Sequence, residues 1–275
     1  MGFPLRHARS SNQDLNFVLS CVEQKLAGWK SNLLSFAGRQ VLIQASISSI
    51  PSYIMQSVLL PSRILDKLDK SSRNFLWGSS DSKRKMHWVG WDKVTKSKAE
   101  GGLGLQTAKG RNMAYLSKLN WRFHEEKNAP WSQVLRKKYL TRRRLSSSNV
   151  NSLPSSHTWK ALYKGSDIFK EGTRWSLGRD SNISFWFDRW TSEGPIRSLI
   201  HGPLTREEEE LRVGDITSEF GWNWCKISME LPAKTYMEIK AMPYSRVSEE
   251  KDKLIWAATS NGEFNLASAY KIASN

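Results

Sequence analysis

The sequence predicts a mainly α-helical N-terminal half and a small α+β C-terminal half with β-hairpins. Up to about residue 140, apolar residues recur at helical spacing. Beyond residue 156 they gather in short, tryptophan-rich runs separated by turn residues. Between these halves, residues 145–156 are rich in serine and asparagine and read as a linker. Charge divides in the same place. Residues 1–150 hold 26 Lys+Arg against 9 Asp+Glu, a net +17, whereas residues 151–275 hold 16 against 17, a net −1. The expected organisation is a basic helical region over 1–144, a linker over 145–156 and an α+β region over 157–275.

Leu15, Val18, Leu19, Val22, Leu26 and Trp29 fall on one face of a helix over residues 12–30. Ser35 is placed to cap a second helix running to about Ile50, with Val41, Leu42, Ala45 and Ile50 inward. Pro51 ends it, because the residue before a proline avoids the helical region. The apolar stretch Tyr53 to Leu60 has no clear period. Pro61 and Ser62 open a third helix that buries Ile64, Leu65, Leu68, Phe75 and Leu76. A small, polar loop from Gly78 to Lys85 follows, then a short strand at His87-Trp88-Val89 and a short helix over Trp91 to Lys98. Gly101-Gly102-Leu103-Gly104 reads as a tight turn before a long helix over Thr107 to Glu126, with Tyr115, Leu116, Leu119 and Phe123 inward. Pro130 starts another helix, to Tyr139.

In the second half, Trp159 to Phe169 reads as a helix. Arg174 to Leu177 and Ile183 to Trp186 read as a hairpin around Gly178–Asn182. The acidic run Glu207 to Glu210 reads as a solvated face. Trp222, Trp224 and Ile227 begin a helical segment toward Leu231, interrupted by Pro232. Leu254 to Ala257 is strand-like, Asn261-Gly262 is a hairpin turn returning through Glu263 to Asn265, and Ser268 is placed to cap a last helix.

Composition narrows the function. The 275 residues suffice for one large or two ordinary domains with a sizeable core. The two cysteines, Cys21 and Cys225, form no disulfide framework and fit a reducing, intracellular setting, nuclear or cytoplasmic. The start lacks the apolar core of a signal peptide, and no run of about 18 apolar residues exists, so no membrane partner is expected. No zinc or other cofactor site is expected, because the cysteines lie far apart and His7, His87, His124, His157 and His201 are scattered. No Gly-Lys-Ser/Thr follows the glycine cluster, which excludes a P-loop.

A localised excess of positive charge is the footprint of a polyanion binder. The candidate phosphate contacts are three clusters: Lys83, Arg84 and Lys85; Arg136, Lys137 and Lys138; and Arg142, Arg143 and Arg144. The nearby Trp88 and Trp91 are expected in the core, with stacking on bases as the competing reading.

The stretch from Trp29-Lys30 through Leu34-Ser35-Phe36-Ala37-Gly38-Arg39, Ile50-Pro51-Ser52-Tyr53-Ile54-Met55-Gln56, Leu60-Pro61 and Phe75-Leu76-Trp77-Gly78 is specific in order and spacing. It resembles the segment after the polymerase palm in plant non-LTR (LINE-type) retrotransposon reverse transcriptases. Further segments extend the resemblance over nearly the whole chain. Met86 to Val94 with Lys98 to Leu105 looks like the family's Lys-x-x-Gly-Gly-Leu-Gly tract. Asn112-Met113-Ala114-Tyr115-Leu116 with Trp121-Arg122 resembles its next helix. Trp175 to Gly178 with Ile183 to Trp190 resembles its Trp-Arg-x-Gly, Ile-x-Phe-Trp-x-Asp-x-Trp block, with Ser176 in place of the arginine. Trp256, Gly262-Glu263-Phe264 and Ser268-Ala269-Tyr270 look like the opening of the reverse-transcriptase zinc-binding domain, truncated here, and Gly2-Phe3-Pro4-Leu5 resembles the strand ending the palm.

The resemblance implies an RNA-directed DNA polymerase as the parent enzyme. The catalytic aspartates and the zinc ligands would lie upstream and downstream of these residues. No Asp-Asp pair occurs in the sequence, and two-metal polymerase chemistry needs closely spaced carboxylates. The expectation is a non-catalytic fragment of the polyprotein. Its basic half would bind RNA or an RNA–DNA hybrid without reading sequence, and the missing palm region would be a second partner. The alternative is a degenerate structural remnant without independent activity, and an active polymerase is the least expected reading.

Overall fold

The computed structural model describes residues 15–27, 33–79, 84–140, 156–178, 181–218, 221–242 and 251–274. The chain divides into two compact units, Met1–Phe169 with Ala269–Asn275, and Lys170–Ser268. The expected linker lies outside the described residues apart from Ser156, as does Trp29.

The first unit is helical. Helix α1 (Asn16–Ala27) buries Val18, Leu19 and Val22, as its spacing predicts. Helix α2 (Phe36–Leu42) starts where Ser35 Oγ accepts the Gly38 N–H at 3.1 Å. It continues as a π-helical turn over Ile43–Ile47. That wider turn rotates the buried stripe onto Ile43 and Ile47 and leaves Val41 60% exposed and Ala45 exposed, so the inward face differs from the one a uniform 3.6-residue period implies. A single turn, α3 (Ser52–Met55), precedes α4 (Ser62–Trp77), which buries all five expected apolar residues. Helix α5 (Trp91–Val94) is one turn long. Helix α6 (Ala108–Glu125) is capped by Thr107, whose side chain accepts the Gly110 N–H. It packs on α3 and α4.

Asn112, fully buried on α6, holds the irregular chain between α3 and α4. Its Oδ1 accepts the Leu60 N–H at 2.9 Å, and its Nδ2 donates to Met55 O at 3.2 Å and Val58 O at 3.0 Å. Helix α7 (Pro130–Leu135) passes into a second π turn, Arg136–Leu140. Helix α8 (His157–Gly172) follows. The main core of this unit runs from Leu15 to Ala108, and a smaller one gathers Leu116, Leu119, Leu135, Ala161 and Leu162.

The second unit carries two small antiparallel sheets. Strand β1 (Thr173–Ser176) pairs with β4 (Lys253–Trp256), Thr173 opposite Trp256. The two-residue strands β2 (Thr217–Ser218) and β3 (Gly221–Trp222) form a hairpin. The expected hairpin of residues 174–177 with 183–186 does not form. The Asp252 carboxylate accepts the Gly178 and Asn182 N–H groups, and Ser184 bridges Arg212 instead. Likewise the turn at Asn261-Gly262 closes through Trp256 N–H to Gly262 O at 2.8 Å, but Glu263–Asn265 is not a strand, and β4 pairs with β1 instead.

Pro232 starts rather than interrupts a helix, α11 (Ala233–Ala241), after the one-turn helices α9 (Arg206–Glu209) and α10 (Val213–Ile216). Ser268 lies inside the last helix, α12 (Leu266–Ser274), whose start Asn265 caps by accepting the Ala267 N–H. Phe185, Trp186 and Trp190 sit in the core of this unit, no more than 1% exposed, and Trp190 Nε1 donates to Phe185 O.

Candidate nucleic-acid interface

Helix α4 ends at Gly78, which takes a left-handed conformation at φ 69°. A side chain there would be strained by that conformation and would also collide. A Cβ on Gly78 would stand 2.8 Å from Arg39 Nη1 and 3.3 Å from Lys85 Nζ. Two cations therefore flank one Cα. Arg39 is fixed by backbone acceptors, Leu34 O for Nε and Nη2 and Leu76 O for Nη1 at 2.9 Å. Among the described residues neither Arg39 nor Lys85 is paired with a carboxylate.

Ser79 Oγ accepts the Lys85 N–H at 3.1 Å and lies 3.4 Å from His87 Nε2, which sets the course of the following loop. The His87 ring stacks at 6.1 Å and 20° on Trp77, and Trp77 lies 5.5 Å from Phe36. Partial desolvation and, after it, the charge of Arg73 shift the His87 imidazole below its ordinary pKa. Residues 84–90 form no strand, contrary to the sequence expectation, and all are exposed. Trp88 is 77% and Met86 70% exposed. The core position expected for Trp88 is thus corrected, while Trp91 packs against the core as expected. The reason is local: the residues just before α5 have no partner strand and pass over the end of α4.

The other cations are distributed differently. Arg84 is exposed beside Lys85. Arg136 is partly buried, with its Nε donating to Ser132 Oγ at 3.1 Å, its Nη2 donating to Phe123 O and its guanidinium 4.3 Å from the Phe123 ring. Lys137 and Lys138 are exposed on the π turn, and Lys138 Nζ lies 5.3 Å from the Tyr139 ring. Tyr139 stacks on Trp159 at 4.4 Å and 13°. Lys83, Arg142, Arg143 and Arg144 lie outside the described residues. Sequence reasoning missed Arg39, Phe36 and Trp77 as members of a surface cluster. They sit inside the Ser35-to-Gly78 motif stretch, but their approach to Lys85 is tertiary.

No group of three metal-ligating side chains occurs among the described residues. The acidic run is not uniformly solvated. Glu207, Glu209 and Glu210 are exposed, but Glu208 is buried and accepts from Ser228 N and Oγ and from Thr205 N and Oγ1. These bonds pull its pKa down to about 2. The second unit also holds an apolar groove of about 480 Å³ lined by Trp224, Met229 and Tyr236, with Glu230 as its charged member. No helix among the described residues is long and apolar enough to cross a membrane. At the end of α4 the exposed chemistry is that of cations near aromatic faces.

No family model matches the chain, and no solved structure matches it. It is 36% identical over 272 residues to an Arabidopsis thaliana protein named "Putative ribonuclease H protein", covering 98% of this chain and 44% of the relative. It is 30% identical over 153 residues to an uncharacterized mitochondrial protein of Arabidopsis thaliana, covering 55% of this chain and 99% of that protein. The chain thus spans less than half of the first relative and nearly all of the second.

Proposed function

Because the chain belongs to the same plant protein family as that uncharacterized mitochondrial protein, we propose that it is a retrotransposon-derived, non-catalytic segment of a reverse-transcriptase polyprotein. In this reading its basic unit binds RNA or an RNA–DNA hybrid through phosphates. The observation that carries it is the cluster at the end of α4, where Arg39 and Lys85 flank Gly78 with no carboxylate paired to them among the described residues and the exposed Arg84 and Trp88 lie close in sequence. Two like charges held together cost free energy that a phosphate between them recovers. The exposed Lys137 and Lys138 supply a second group of contacts.

The test is a salt titration of the whole chain on a fluorescent RNA hairpin followed by anisotropy. The expected result is submicromolar to micromolar binding at low salt that weakens steeply as salt rises. No binding at low salt overturns the reading. A second reading has its own observation. Leu33, Val41 and Tyr53 are each at least 59% exposed, and exposed apolar side chains of this kind would suit contact with a palm-like protein partner in a structural remnant without independent activity. Concentration-dependent self-association in size-exclusion chromatography, with no RNA binding, would favour it.

A further inference from the structure

The cluster at the end of α4 has more structure than phosphate binding alone requires. Phe36, Trp77 and His87 make a continuous row of rings, with adjacent centroids 5.5 and 6.1 Å apart. Its middle ring, Trp77, precedes Gly78, which the two cations flank. Arg73, whose charge bears on His87, adds a third cation. Two donors at this helix end, Arg73 Nε and Trp77 Nε1, are buried without an acceptor among the described residues. Trp88 offers an indole that is 77% exposed, three residues after Lys85, whose N–H is held by Ser79 Oγ. A large aromatic left this exposed forgoes burial, and an exposed indole three residues from Lys85, together with the cations at Gly78, matches the two faces of a nucleotide: phosphate and base.

The geometry points to a binding site for an unpaired nucleotide, with its phosphate between Arg39 and Lys85 and its base against Trp88. This rests on the proposed polyanion binding and adds to it a preference for unpaired strands, because in a duplex the base faces are already stacked and only the phosphates remain available. Among the described residues the cluster of Arg39, Arg73, Lys85, Trp88 and the ring row includes no side-chain amide or carboxylate to read base edges, so the site is tolerant of sequence.

The experiment uses the full chain with three probes: short oligouridylate, a blunt RNA duplex of the same length, and inorganic polyphosphate as a measure of charge alone. Trp88→Ala is expected to weaken oligouridylate binding by about tenfold while changing duplex and polyphosphate binding by less than about twofold. Trp88→Phe is expected to keep most of the affinity, and Lys85→Gln to lower both the affinity for oligouridylate and its salt dependence. Because Trp88 contributes little to the core, thermal unfolding of Trp88→Ala should match the parent chain. An oligothymidylate arm separates RNA from DNA as the source of the strand, and loss with Trp88→Ala on either strand supports the site. Wild-type binding to single strand and duplex that Trp88→Ala leaves unchanged on every probe overturns the inference and leaves the phosphate reading standing. No binding to any probe at low salt removes both.

Discussion

Asn112 shows how one polar side chain is used in the core of the first unit. It is 0% exposed and satisfies three backbone groups of residues 55–60, a stretch with no regular partner of its own. Replacing it with Leu strands one N–H and two carbonyls in apolar surroundings, each unmet group costing about 1–3 kcal/mol. Allowing for relaxation, Asn112→Leu should lose about 3 kcal/mol in urea unfolding. Two carboxyls should leave opposite marks on stability against pH. Burial raises Asp69 to about 6, against the pull of the Ala108 N–H at 2.9 Å and the Arg111 charge. Its folded-state value stands above the unfolded one, so stability falls as pH rises from about 3.8 to 6. Asp69→Asn keeps an acceptor for Ala108 and should abolish that fall. Glu208 is the reverse case. Its stabilisation is complete above about pH 4.5 and is lost as pH falls toward 2, so Glu208→Gln should be less stable at neutral pH and flatter in acid. Urea titrations across this pH range on the three chains check both signs.

At the scale of elements, α6 and α8 meet by backbone contact. A Cβ on Gly165 would stand 2.5 Å from the Leu116 carbonyl, and Asn120 Nδ2 bridges the same crossing by donating to Leu116 O and Leu162 O. Alanine at this position would gain about 1 kcal/mol of helix propensity. It would also push the helices apart, and overpacking of this kind costs about 1–3 kcal/mol. Gly165→Ala should therefore lower the thermal midpoint, and Gly165→Val should lower it further.

The same scale shows what was legible in the sequence. Helices α1, α4 and α6 follow from apolar spacing and caps because those signals are local, and the αL turn at Gly78 follows from glycine alone. The strand pairing was not legible. Turn-rich runs at residues 178–182 and 261–262 favour local hairpins, yet β1 takes β4 from across the unit, with Asp252 holding the intervening loop by two backbone bonds. The π turn in α2 was equally hidden, since Val41 and Ile43 are alike in hydrophobicity and only packing chooses between them. For the interface, the runs of cations could be read directly. The pair around Gly78 could not, because Arg39 on α2 and Lys85 on the loop after α4 meet only in the tertiary fold.

At the scale of the whole chain, charge follows the compact units more closely than it follows the halves of the sequence. The first unit holds 29 Lys+Arg against 10 Asp+Glu, a net +19, and the second holds 13 against 16, a net −3. The returning segment Ala269–Asn275 adds Lys271 to the basic unit and no acid. A polyanion should consequently be bound by one unit only, and the number of released counterions should depend on cations of that unit alone. Each phosphate contact contributes about 0.7 to the slope of log K against log salt for a single strand and about 0.9 for a B-form duplex. Lys137→Gln with Lys138→Gln should therefore reduce the slope by about 1.5 and weaken binding to all nucleic acids alike. Lys240→Gln, an exposed cation on α11 of the acidic unit, should change neither slope nor affinity. Equal effects from both sets of substitutions would mean that net charge, rather than a basic surface on the first unit, attracts the polyanion. Anisotropy titrations at three or more salt concentrations separate these outcomes, since net charge alone shifts binding without tying the loss to particular side chains.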